Sequence, residues 1–370
     1  MPSLLRAPTP QTDTPLPSTS PTSAGPAYAD PAFGALGLWG MQGTMGNADV
    51  LSALPTAARA TPKPTVDPVA ADRAKAATDL AGRFNVVDND YKGTKLPNTV
   101  TKAEYEKICA AYSDVRLGRG DLTIDASKYT SKKDQDAYKA GALNDIASLL
   151  QTESGRGLVY QLGNNATQKD AKGNPIHRHT TLTPLLDSQG KVDKTNGYAA
   201  PDGAGGDATV GRDGKLTPGK GTDVTIAYNP GVNVGDAYKE YQAANPWLSG
   251  FRSDVILMHE GNHAMQMTAG TGDPRYVQRT DNAANKSDPL MAQDASARIS
   301  RIEHQAVGVG LYANDPMTEN AYRAERRKMA DAKAPGLNAG DSTLTPRTSY
   351  TPSAPTRAVA PPSADPMGGP

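Results

Sequence analysis

The sequence predicts an α+β fold in which a metal-binding helix lies beside a small mixed sheet, preceded by a long disordered N-terminal leader. Three observations carry this reading. Between Lys133 and Gln151 the positions Tyr138, Ala142, Ile146 and Leu149/Leu150 recur at helical spacing. Asp223-Val-Thr-Ile-Ala-Tyr228 alternates Val224, Ile226 and Tyr228 against Thr225 and Ala227, and the Asn-Pro that follows stops it as a strand. The run Asp254-Val-Ile-Leu-Met-His259-Glu260-Gly-Asn-His263 sets two histidines four residues apart, on one face of a helix.

The chain has 370 residues with 30 Pro, 36 Gly and 5% aromatic side chains. Its mean hydropathy is −0.56. Such a composition supports one domain of moderate size, with much of the chain outside any core. Residues 1–75 are dominated by Pro, Ser, Thr, Ala and Gly and read as a disordered leader, whose one apolar island is Phe33-Gly-Ala-Leu-Gly-Leu-Trp39. Residues 76–129 read as a helical extension, with helical patterns over Asp72 to Phe84 and Thr101 to Tyr112; 130–352 is the main domain and 353–370 a disordered tail. A net charge of zero gives no global case for nucleic acid, and no apolar run reaches the roughly 20 residues that span a bilayer. Cys109 is single, so no internal disulfide forms, and it reads as a structural residue.

Gly155 to Leu162 reads as a helix or a short strand. Residues 164–221, rich in Gly, Asp, Asn and Lys, read as a long surface insertion, and they lack the Asp ladder of a calcium loop. Within them His177 and His179 project to one side of extended chain and read as a solvated pair. The strand at 223–228 suits an edge strand before the metal helix or an interior strand of a sheet.

In the helix that follows, His259 and His263 can place two imidazole nitrogens at about 2.0–2.1 Å from one zinc ion, while Glu260 is placed to move protons as a general base. Ser253 or Asp254 can cap the helix and Gly270 can end it. Gly261, unfavourable inside a helix, lies off the histidine face and would let another element pack closely. A third protein ligand must come from elsewhere, and downstream of His263 only Glu303, Glu319 and Glu325 occur. Glu303 falls on an expected helix from Asp294 to Val307 and shares its inner face with Ile299, Ile302 and Ala306, where a carboxylate needs a partner. Glu319 is the alternative: capped by Thr318 and facing Arg323, it has a structural account and a possible part in orienting a ligand histidine. Arg347 and Tyr350, three apart, can offer a guanidinium and a phenol to a developing oxyanion.

These blocks, His259-Glu260-Gly-Asn-His263, Ile302-Glu303-His-Gln-Ala-Val-Gly308, Thr318-Glu319-Asn320-Ala-Tyr-Arg323 and Arg347-Thr-Ser-Tyr350, resemble in order and rough spacing the zinc metalloprotease effectors that plant and enteric pathogens inject through type III secretion. The likeness spans about residues 130–352. The layout is also similar to that of clostridial neurotoxin light chains. The resemblance implies a zincin-like fold and bound Zn2+, with Glu303, 40 residues after His263 (303 − 263 = 40), as third ligand in preference to Glu319. It implies attack of zinc-bound water with Glu260 as base, assisted by Arg347 and Tyr350. It further implies cleavage of host signalling proteins after delivery into the host cell cytoplasm, with residues 1–75 as a secretion signal that a chaperone can bind. Two other readings stay open: a zinc hydrolase of a non-protein bond, and an effector that binds a host protein without catalysis.

Overall fold

The computed structural model describes residues 67–347 apart from 166–167, 170–172, 194–196, 234–235, 237–238, 240–241, 244 and 279–297. The apolar island at 33–39, the expected tail and Tyr350 lie outside the described residues. The first described helix, α1 (Pro68–Asp79), starts inside the expected leader, with Pro in the first turn, where its missing N–H costs nothing. A short parallel pair, β1 (Asn85–Val87) with β2 (Thr99–Thr101), leads to α2 (Lys102–Leu117). Thr101 accepts from the Glu104 N–H at its start, and Gly118 in the left-handed region ends it. Strand β3 (Leu122–Ile124) precedes α3 (Lys132–Leu150), capped by Ser131, and α4 (Glu153–Gly163), capped by Thr152. The segment expected as helix or strand from Gly155 is thus helix.

The sheet that carries the fold is mixed and has four strands, in the order β3, β4 (Thr180–Pro184), β6 (Val224–Tyr228), β5 (Tyr198–Pro201). β4 runs parallel to β3 and β6, whereas β5 runs antiparallel to β6, Ile226 facing Leu182 on one side and Ala199 on the other. Of the two places open to β6 the interior one holds, and β3 and β5 form the edges. One expectation is corrected here. Residues 164–221 supply two of the four strands, because Thr180-Thr-Leu-Thr-Pro184 pairs through β-branched threonines whose hydroxyls hide a buried strand from a hydropathy reading.

Helix α5 (Ser253–Ala269) packs on β6, β5, α3 and α4. Val255, Ile256, Leu257 and Met258 are each at most 3% exposed, so its first turns are buried on every side. The same core reaches Ala76 and Leu80 of α1 and Ile108 of α2. Gly261 marks where α4 crosses α5: a Cβ added there stands 2.7 Å from Leu158 Cδ2. Gly261→Val is expected to destabilise by about 1–3 kcal/mol through overpacking. Gly261→Ala should be close to neutral, since the end of Leu158 can yield and Ala favours helix by about 1 kcal/mol. Thermal melts of both, and of Gly261→Val with Leu158→Ala as a partial rescue, check this; an unchanged melt for the Val variant refutes the tight crossing.

Beneath the start of α5, Asp145 is buried and its Oδ2 has no hydrogen-bond partner among the described residues. Burial, with the charge of Asp254 as second cause, pushes its carboxyl well above the usual carboxylate range. A carboxyl raised in the folded state binds its proton more tightly there than in the unfolded chain. Its contribution to stability is therefore full below about pH 4, the unfolded value, and is lost as pH rises through the folded value. Asp145→Asn should accordingly stabilise by about 1–3 kcal/mol at pH 8 and by progressively less towards pH 4. Melting temperatures of both proteins across that range test it, and a difference independent of pH contradicts it.

Candidate metal centre

Helix α5 starts differently from the sequence expectation. Arg252 holds the cap position and no side chain caps the helix. Ser253 instead accepts the Gly231 N–H at 3.0 Å. Asp254 receives Arg252 Nη2 at 2.9 Å, the Tyr322 hydroxyl at 2.7 Å and Asn338 Nδ2 at 3.2 Å, bonds that pin the helix to its neighbours. Gly270, at φ +68°, ends the helix as expected.

His259 and His263 lie one turn apart, with their Nε2 atoms separated by 3.2 Å. Glu303 joins them from α6 (Arg301–Val307). Its Oε2 stands 3.3 Å from His259 Nε2 and 3.2 Å from His263 Nε2. Four ligands set tetrahedrally at about 2.0–2.1 Å from a zinc ion stand roughly 3.3–3.4 Å apart, so this triangle fits one such ion. Among the described residues it is the one group of three or more His, Cys, Asp or Glu whose ligand atoms all lie within 4.8 Å of each other. The imidazoles are 7% and 6% exposed and Glu303 28%, so solvent reaches the triangle at Glu303.

The helix expected from Asp294 is shorter than its pattern suggested. Residues 298–300 form β8 (Arg298–Ser300), antiparallel to β7 (Tyr276–Gln278), and α6 begins only at Arg301. Buried Asp273 receives Arg275 Nη2 at 2.6 Å, and the Arg301 N–H donates to the Arg275 carbonyl at 2.9 Å. The start of α6 is thereby tied to the chain that leaves α5, and Glu303 with it.

Behind His259, Glu319 opens α7 (Glu319–Asp331), where Thr318 accepts the Ala321 N–H. Its Oε2 lies 3.0 Å from His259 Nδ1, the nitrogen turned away from the triangle. Fully buried, the same carboxylate takes Arg323 Nε at 2.7 Å and Arg347 Nη1 at 2.9 Å. A carboxylate at Nδ1 keeps the proton on that nitrogen and leaves the Nε2 lone pair free for a cation. Arg347 reaches His259 through Glu319 and lies over the Trp247 ring, 4.2 Å from its centre. Its backbone N–H and carbonyl both pair with the Asn320 side chain, which also donates to the Gly308 carbonyl.

Glu260 is buried beside the triangle and accepts the backbone N–H of Ala199 on β5. Burial pushes its carboxyl up, and the neighbouring imidazoles oppose the rise. Burial would lower the His259 imidazole, yet its bonds to Glu303 and Glu319 raise it to about 10. Burial likewise works against Glu303 and Glu319, and the imidazoles and arginines around them overcome it and hold both carboxyls low. Ionised carboxylates facing two histidines make a locus that favours a cation. Trp247, Asn320 and Ala199 carry no signal of a role in the sequence: Asn320 lies in the Thr318–Arg323 stretch without chemistry of its own, and nothing around Trp247 or Ala199 marks either.

The fold and these side chains define a mixed α+β protein with a two-histidine, one-glutamate cluster beside a buried glutamate. The chain belongs to the peptidase M91 family of effector proteins, whose model matches residues 126–349. No curated protein matches it. The family makes it a peptidase-type effector directed at a host target. Among the described residues no helix is long and apolar enough to cross a membrane.

Proposed function

We propose that this protein is a zinc-dependent endopeptidase of zincin-like architecture, secreted and delivered into host cells, where it cleaves host signalling proteins. The observation that carries the reading is the triangle of His259, His263 and Glu303 atoms, 3.2–3.3 Å apart, with Glu260 at its side. Those three residues would hold the metal. A bound zinc ion supplies a Lewis acid that makes water acidic near neutral pH and polarises a carbonyl.

The chain's own residues do the rest. Glu260 takes a proton from the attacking water and passes it to the leaving amine, while the Ala199 N–H fixes which way its carboxylate points. Glu319, braced by Arg323 and Arg347, holds His259 in the tautomer that presents Nε2. Arg347 acts through this carboxylate and not on the substrate, which leaves the phenol of Tyr350 as the group to serve the developing oxyanion. Strand β5 favours a peptide over other substrates: β6 occupies one edge of it, and the N–H of Ala199 points to Glu260 on the other, so an extended chain laid along β5 meets the base.

Purified protein should contain one zinc ion at this triangle and cleave a protein of a host-cell extract in a chelator-sensitive manner. Absence of bound zinc, or cleavage that survives chelation, refutes the mechanism.

A further inference from the structure

A second set of metal-type donors is drawn together where two neighbouring strands begin. Asp121 immediately precedes β3, and His177 and His179 immediately precede β4, the strand that pairs with it. The Asp121 carboxylate is buried, with its residue 6% exposed. Its Oδ2 accepts the Asn165 backbone N–H at 2.7 Å and lies 2.8 Å from His177 Nδ1. Its other oxygen lies 3.5 Å from His179 Nδ1. Both imidazoles thus turn towards one carboxylate while remaining solvated as expected.

Their side chains remain 46% and 56% exposed. The His179 backbone N–H donates to Asp223 Oδ1 at 2.9 Å, and so fixes that residue at the head of its strand. A second observation comes from Asn165. It is fully buried, its backbone holds Asp121, and neither its side-chain oxygen nor its nitrogen has a hydrogen-bond partner among the described residues. Buried amides without partners are rare, and they mark places where a bound water or ion completes the structure.

We propose that Asp121, His177 and His179 form a second site for a divalent transition-metal cation, independent of the centre on α5. Two imidazole nitrogens and one carboxylate oxygen suit zinc, cobalt, nickel or copper and are a poor set for magnesium or calcium, which take oxygen ligands. The set is more open than the first, because the rings meet different oxygens of the carboxylate. Rotation of two half-exposed side chains closes it around a cation, with water filling the remaining positions. Binding there is therefore weaker than at the triangle, and it joins the heads of β3 and β4. None of its ligands belongs to the proposed hydrolytic machinery.

Full-length protein stripped of metal and titrated with Co2+ tests this, with stoichiometry and the visible absorption of the bound ion as readouts. Two equivalents are expected. The weaker should be lost in His177→Ala/His179→Ala and weakened at least tenfold in Asp121→Asn, whose amide oxygen can still accept the Asn165 N–H. It should persist in His259→Ala/His263→Ala, which separates this site from the proposed function. A single equivalent in the unaltered protein overturns the proposal, as does a second one indifferent to His177 and His179. Retention of full affinity in Asp121→Asn also overturns it, since that outcome means adventitious chelation by surface histidines alone.

Discussion

Glu260→Gln is expected to lower the rate of peptide cleavage by about 10²–10⁴-fold while leaving zinc content at the α5 centre and the melting temperature near those of the unaltered protein. The amide preserves the shape of the side chain and still accepts the Ala199 N–H. It cannot accept a proton from water. Removal of a buried negative charge beside Glu303 offsets what the neighbouring imidazoles lose, which is why stability should hardly move. Kinetics on a cleaved host protein, with metal analysis of the same preparation, checks both halves. Undiminished cleavage rules Glu260 out as the base, and a parallel loss of zinc makes it part of the metal-holding structure instead.

Glu319→Ala should strike stability and metal together. Its carboxylate is the shared partner of Arg323, Arg347 and His259, and all three are buried. Removing it leaves two guanidinium groups without their anion, at a cost of about 3–5 kcal/mol. His259 also loses the acceptor that fixes its tautomer, so zinc affinity should fall about 10–100-fold. Glu319→Gln, which keeps an acceptor, should lose less of each. Glu303→Ala gives the opposite profile, with zinc affinity lost further and stability little changed, because Glu303 is partly exposed and its ion-pair partners among the described residues are the two histidines. Melting temperature and chelator competition on the three variants decide the roles. If Glu319→Ala releases zinc while Glu303→Ala keeps it, the third ligand is Glu319.

The α+β class and most helices were legible because their signals are local. Tyr138 to Leu150 repeats over about three turns, and Thr101, Ser131, Thr152 and Thr318 each cap a helix with their own side chain. Gly261 was legible as a point of close approach, though nothing in the sequence named Leu158 as what approaches. The sheet was half hidden. β4 is threonine-rich and β5 is four residues long, and their place beside β6 depends on pairing across dozens of residues, which no periodicity records. At the centre, residue types and spacing were enough to nominate His259, His263 and Glu303. Direction was not legible: Arg347 was read as facing an oxyanion, and the fold turns it onto Glu319 and the Trp247 ring.

The clamp behind His259 also sets when the centre can exist. Sixty residues separate His259 from Glu319, and a further 28 lead to Arg347. Contacts so distant in sequence form late, because long loops must close before they are made. An emerging chain therefore carries both histidines on α5 well before it carries the carboxylate and the arginine that aim one of them. The brace on His259 is complete only with Arg347, and a chain cut before Thr345 keeps the His-Glu-x-x-His sequence while Glu319 has lost one of its two arginines.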